Sequence, residues 1–419
     1  MGARNPKDAT YRRAVPLPGT VKNLIRSWPP IARAWTLFRS RQVEAEYRRR
    51  RDSYARMADE RGIVYREETV AASIRARLAA RGYTPTVRST GDVHTFTCVP
   101  LHSWHHHLLP DLRELGLVTT FDYESLGYRP AQLARSERLL DEMSARILPA
   151  IREAHARRPV DWVFFYGGGQ DIAPLVVRRV TEELGVPVVN LSLDDKQGWA
   201  GASTRSWRTG AVDITKEFDL YATSARVACE WHLLEGGRPI YMPEGFDASE
   251  YAPRPVAREL DVSFVGVAYG FRLAIVDYLR KHGVHVTTFG AGWPRSGWTK
   301  DIIDVFNRTR INLGMGGIEY SETLTNVKGR DFEIPGTGGG MYLTSFNPDL
   351  AQHFVAGEEI ACYRNRDEML ELIRWYLRHP DEAEAIASRA RERSLREHRW
   401  LHRYEKMLAI LGIVAKDAP

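Results

Sequence analysis

Cysteine is scarce in this chain. Its three residues, Cys98, Cys229 and Cys362 of 419, lie too far apart for a CxxC pair or a disulfide framework, which fits a reducing cytoplasm. No run of apolar residues is long enough to cross a bilayer. The first residues, MGARNPKDATYRRAVPLPG, hold no apolar segment of signal-peptide type, so export is not expected. There is no Walker lysine motif and no short internal repeat. At 419 residues, 43% hydrophobic and 27% charged, the composition is that of a globular protein too long for one ordinary core. Two domains are expected.

The net charge of +6 is unevenly placed. Residues 1–60 hold fourteen Lys/Arg against six Asp/Glu, a balance of +8 that leaves about −2 for the rest. The excess peaks at Arg48, Arg49, Arg50 and Arg51. A basic helix over residues 33–61 would suit a peripheral membrane surface or another anionic partner, nucleic acid included. Without base-stacking aromatics between the arginines, an equally open reading is a solvated helix paired with Glu44, Glu46, Asp52 and the main body.

Residues 1–90 read as a basic helical extension, with helices at 31–60 and 67–82. From residue 91 strands and helices alternate, and several strands, such as VDWVFFYGGG, are apolar throughout. That rhythm predicts parallel sheets covered on both faces. ARSERLLDEMSARILPAIREAHAR, residues 134–157, reads as one long amphipathic helix. A Pro-containing connector near 245–258 separates a domain at 91–247 from one at 248–395, and helix 396–419 is expected to pack back on the first. The fold class is α/β, two tandem doubly wound Rossmann-like domains. Such sheets bind ligands at the carboxyl ends of their strands, so two facing ones make an interdomain cleft.

Chemistry concentrates in TNVKGRDFEIPGTGGG. Lys328 and Arg330 stand where a loop enters a helix, whose free N–H groups and dipole favour a diphosphate. Glu333, one turn in, can accept hydrogen bonds from both hydroxyls of a ribose. Gly336, Gly338, Gly339 and Gly340 end the helix and allow close backbone approach. Glu333 could equally serve as a helix-entry ion pair with Arg330 or Lys328.

Here the sequence resembles the group-1 glycosyltransferases of GT-B fold, particularly their CgeB-like (spore-maturation-protein-like) branch. RDFEIPGTG, EEIACYRNRDEM and YLRHPDE carry the likeness, together with DVSFVGVAYGFRLAIVDYL, FGAGW and FDLYATSARVACEWHLLEGGRPIYMPEGFD, over roughly residues 160–405. The resemblance implies a nucleotide-sugar donor on the C-terminal domain, a UDP-sugar first and GDP- or dTDP-sugars as alternatives, with no further cofactor and no metal. An acceptor lies on the N-terminal domain. Glu333 would hold the donor ribose. Arg272, Lys328 and Arg330 would hold the diphosphate, while Gly290, Trp293, Gly316, Gly338 and Gly339 line the base pocket. Arg272 could instead be a solvated helix start and Trp293 core. The family's second glutamate, eight positions before the ribose one, is here Thr325, which breaks its usual route to orienting the sugar.

On the acceptor side, strands end at GGGQD, with Gly168 and Asp171, and at DDKQGW, with Asp194 and Asp195. These carboxylates could take a proton from an acceptor hydroxyl or cap a following helix. SWHHH places His105 and His106 after another strand, as sugar or acceptor contacts, catalytic bases or polar loop. Pro110 suggests that a helix begins near it, leaving 102–107 as loop without the i, i+4 geometry of a zinc pair. Retention and inversion both stay open. Two other classes remain: a GT-B-fold sugar-nucleotide epimerase, and a non-catalytic or nucleic-acid-associated protein acting through the basic arm.

Overall fold

The computed structural model describes residues 29–201, 210–297 and 299–415. They form two compact units, one of residues 49–243 and 400–415, the other of residues 29–48 and 244–399.

The first unit is built on six strands: β1 (Val93–Cys98), β2 (Gly116–Thr120), β3 (Trp162–Tyr166), β4 (Val188–Ser192), β5 (Leu220–Thr223) and β6 (Pro239–Tyr241). They make one parallel sheet in the order β2-β1-β3-β4-β5-β6. β1 is buried at all six positions and β3 at four of five, as expected of strands covered on both faces. The order reverses between β1 and β3, which places a switch point at their carboxyl ends. The helix Glu67–Ala80, expected at 67–82, buries Val70, Ile74 and Leu78 at helical spacing.

Residues 134–157 do not form one helix. They divide into Glu137–Ser144, capped by the Ser136 side chain, and Ile147–Arg157. Pro149 explains the break, since its ring excludes a continuous helix through the carbonyl of Ala145 four residues earlier.

The helix Trp400–Leu411 belongs to this first unit. The Leu401 N–H donates to Asp111 at 2.6 Å and the Tyr404 hydroxyl to the Leu108 carbonyl at 2.9 Å. Met407, Leu408 and Leu411 are buried in the same core as Trp162, Phe164 and Leu112.

In the second unit β7 (Leu260–Val265), β8 (Val286–Phe289), β9 (Thr309–Leu313), β10 (Met341–Ser345) and β11 (Ala361–Tyr363) form a parallel sheet ordered β11-β10-β9-β7-β8. Its switch point falls between β7 and β9. Val262, Phe264, Ile311, Leu313, Met341 and Leu343 supply the core on one face.

The basic segment lies in a single helix, Pro29–Arg61. Its arginines divide between the two readings of the sequence. Arg50 turns inward, donating to the Lys196 carbonyl at 3.1 Å and lying over Trp231, and Arg51 pairs with Asp52. Arg48 and Arg49 are exposed. Glu44 accepts from Ser40, Ser321 and Thr323. Among the described residues no helix is long and apolar enough to cross a membrane.

Candidate functional site

At the carboxyl edge of the first sheet a cavity of about 370 Å³ opens over the switch point. Pro100 and Leu101 follow β1; Tyr166 ends β3 and leads to Gly167, Gly168, Gln170 and Asp171; Leu191 and Ser192 end β4 and lead to Leu193, Asp194 and Asp195. Four of the acceptor-side residues read from the sequence, Gly168, Asp171, Asp194 and Asp195, therefore line one space.

The two neighbouring aspartates differ in kind. Asp194 is exposed, at the mouth of a short helix that it does not cap with its side chain. Asp195 is buried and joined to three donors. Ser192 Oγ and Thr223 Oγ1 each lie at 2.5 Å and His232 Nε2 at 2.9 Å. A carboxylate only accepts, so His232 carries its hydrogen on Nε2, and its Nδ1 meets Thr215 Oγ1 at 2.7 Å. Burial by itself would raise the Asp195 pKa. His232 and the two hydroxyls outweigh it and hold the carboxyl below the ordinary aspartate range. Asp195 is thus the buried centre of a network beneath the cavity, not the open contact expected. Ser192, Thr223, Thr215 and His232 escaped the sequence reading because residues up to 37 positions away assemble around one carboxylate.

Asp171 closes the GGGQD turn, its carboxylate accepting from the Gly168 N–H at 2.8 Å. Burial pushes its pKa up to about 6, against the lowering effect of the Gly168 N–H and Gln170. A carboxyl that titrates near neutrality suits proton transfer.

The histidines depart from expectation. A helix begins at His105 and runs to Leu115 with Pro110 inside it, preceded by a three-ten turn over His102–Trp104. Leu108, Leu109, Leu112 and Leu115 pin that helix to the core. Pro110 is tolerated because, so near the start, its missing N–H removes a single early helical bond. His105 Nε2 bonds the Val99 carbonyl at 2.8 Å, and His106 is exposed. Neither lines the cavity.

In the second unit the switch-point strands lead into two helices, Arg272–Lys281 after β7 and Arg330–Thr337 after β9. Arg272 is not a solvated helix start. Only 9% exposed, it donates to the Val267 carbonyl at 3.0 Å and stacks against Tyr269 and Phe264 at 4.2 and 5.3 Å. Its buried Nε has no hydrogen-bond partner, and burial lowers its pKa. The stacking aromatics were not foreseen.

Lys328 Nζ donates to the Gly317 carbonyl at 2.8 Å. Arg330 Nη1 is paired with the Glu333 carboxylate one turn along, the helix-entry ion pair left open from sequence. Gly290 and Gly316 stand just past the carboxyl ends of β8 and β9, as a site there requires. Gly338 and Gly339 do not. They terminate the helix Arg330–Thr337 and precede β10, at the amino end of the strands. Gly338 adopts φ +63° as a left-handed cap, and a Cβ on Gly339 would meet the backbone of Phe306 and Asn307. Their glycines serve the helix-to-strand turn. Trp293 takes the core reading that the sequence left open. It is buried in the second core, edge-on to Phe264, with its indole N–H on the Gly266 carbonyl at 2.8 Å.

Among solved structures, the chain is similar to Anabaena HepE in complex with UDP and glucose, with TM-score 0.53 and 14% identity over 76% of this chain and 99% of that one. The same protein in complex with UDP-glucose gives TM-score 0.52 and 15% identity over the same shares. Sucrose-phosphate synthase from Thermosynechococcus elongatus gives 0.50 and 12% over 83% and 93%. No curated protein gives a significant sequence match. The two Rossmann-like units have the fold of the GT-B glycosyltransferases. Residues 272–409, which include Arg272, Lys328 and Arg330, match the family model described as "Glycosyl transferase-like".

Proposed function

We propose that the chain is a glycosyltransferase that moves a hexosyl group from a nucleotide-diphosphate sugar, a UDP-sugar first, to a hydroxyl-bearing acceptor in the cavity of the first unit. One observation carries this reading. Arg272, a buried guanidinium with an unpartnered Nε, stands at the start of the helix that follows β7. A buried donor without an acceptor is costly, and an arriving phosphate oxygen would relieve it. Lys328 and Arg330 stand at the start of the helix following β9, the neighbouring strand across the switch point. HepE's complexes with UDP and UDP-glucose support trying uridine first.

In this scheme Arg272 and Lys328 offset the charge that develops on the leaving diphosphate, without a metal. Glu333 accepts from the ribose hydroxyls. Asp171, whose pKa burial raises to about 6, would take the acceptor's proton, with Asp194 lining the same cavity. The motif RDFEIPGTG supports assignment to the CgeB-like branch. Three unpaired cysteines, two of them buried, support a reducing compartment such as the cytoplasm.

The test is a thermal-shift screen with UDP, GDP, ADP, CMP and dTDP, followed by turnover of the matching sugar nucleotides with and without acceptors. A nucleotide at 100 times its Kd should add about 2.7 kcal/mol. Turnover should need an acceptor and vanish in a folded Glu333→Ala variant. No shift with any nucleotide, or sugar conversion indifferent to acceptor, would sink the proposal.

A further inference from the structure

We infer that the outward face of the helix Pro29–Arg61 docks the protein on an anionic lipid surface, with Arg41, Arg48 and Arg49 against the headgroups and Leu37 and Phe38 entering the boundary below them. The inference goes beyond the nucleotide-sugar reading and stands without it.

Part of this helix is held by the protein. Arg39 lies over the Tyr320 ring at 5.7 Å, and Glu44 accepts from Ser321 and Thr323 at 2.5 and 3.1 Å. Of the arginine run, Arg50 turns inward and Arg51 pairs with Asp52. Arg48 and Arg49 stay exposed, as does Arg41. Helical spacing sets these three on one arc of about 120° with Leu37, Phe38 and Ala45. Glu44, turned to its hydroxyl partners, marks one edge of that arc, and Glu46 lies beyond the other. From residue 37 to residue 49 the arc itself therefore carries cations and no acid.

Leu37 is 62% exposed and Phe38 57%, with Phe38 backed by Trp35 at 5.9 Å. A single exposed apolar side chain is ordinary, but two in succession at the head of a basic row match the two demands of a lipid interface. Phosphates attract the arginines, and the hydrocarbon boundary receives the apolar pair. Residues 1–28 add six Lys/Arg against one Asp, so the charge on this side continues along the chain. Nucleic acid would use the arginines but leave Leu37 and Phe38 in water. Tyr47, the aromatic between the arginines, falls outside the arc, so no ring stands among them to stack on bases. No described helix can cross a membrane, so the contact lies on the surface.

Vesicle flotation of the full chain tests this. Vesicles with about 30% phosphatidylglycerol in phosphatidylcholine should bind the protein, pure phosphatidylcholine should not, and added salt should release it. Replacing Arg41, Arg48 and Arg49 together by Gln should weaken binding by roughly a hundredfold, at about fivefold per arginine. The same three changed to Lys should bind like wild type, because the charge is kept. Leu37→Ser with Phe38→Ser should weaken binding about tenfold or more and leave its salt dependence in place. These side chains are exposed, so all variants should melt with the wild type. Equal binding to both vesicle types would overturn the inference, as would loss of binding in the Lys variant or wild-type binding in the Gln variant. So would duplex DNA binding tighter than vesicle binding and indifferent to the two serines.

Discussion

At the switch point of the first sheet the loops carry Asp171, Asp194 and Asp195. At that of the second they lead to Arg272, Lys328 and Arg330. The architecture is alike and the charge is opposite. Each side also holds a buried charge, and the two are sustained differently. Asp195 is met by Ser192, Thr223 and His232 and keeps its ionised form despite burial. Arg272 has a carbonyl and two aromatic faces, with Nε unmet. A satisfied buried charge holds a fold together, whereas an unsatisfied one is available to a ligand.

The hardest strain on that distinction is Asp195→Ala. Leaving Ser192, Thr223 and His232 without their common acceptor should cost about 3–5 kcal/mol in urea unfolding at pH 7. A loss below about 1 kcal/mol would remove Asp195 from the structural side. Because its folded pKa is depressed, its contribution is present above the unfolded value and lost as pH falls through the folded one. The gap between wild type and variant should therefore close in acid. Arg272→Met is the counterpart, with nucleotide affinity lower by roughly tenfold to a hundredfold and unfolding free energy unchanged or higher. Destabilisation on the scale of Asp195→Ala would erase the contrast.

Asp171 sharpens the comparison from the acidic side. Its pKa is raised to about 6, above the unfolded value. The fold favours its protonated form, so wild-type stability should decline as pH rises from about 4 through about 6. Asp171→Asn should flatten that slope in thermal melts, and wild-type turnover should rise through pH 6 where the variant's does not. The smallest effect belongs to Trp293→Phe, which loses one hydrogen bond to Gly266. It should cost about 1 kcal/mol of stability and leave nucleotide affinity unchanged.

The parallel strands were legible because being covered on both faces makes a strand apolar throughout, and VDWVFFY shows it plainly. The closeness of Lys328, Arg330 and Glu333 was legible for a different reason. Lys328, Arg330 and Glu333 fall within one short segment, so local spacing already brings them together. The Asp195 network was not, since Ser192, Thr215, Thr223 and His232 arrive from separate strands and turns through the sheet register. Pro110 misled because a proline tolerated at a helix start is also tolerated slightly further in, where four leucines hold the helix. Gly338 and Gly339 misled because glycine marks a sharp turn equally at either end of a parallel strand. Composition does not say which end faces a ligand.

The helix Trp400–Leu411 places Met407, Leu408 and Leu411 in the core of the first unit, beside Trp162 and Phe164. Domains usually fold in the order in which the ribosome delivers them. Here the first unit has its sheet early but waits for residues made after the whole second unit before its interior is closed. Until then it exposes an apolar face that invites chaperone capture, and a ribosome that stalls between residues 243 and 400 releases an unfinished first unit.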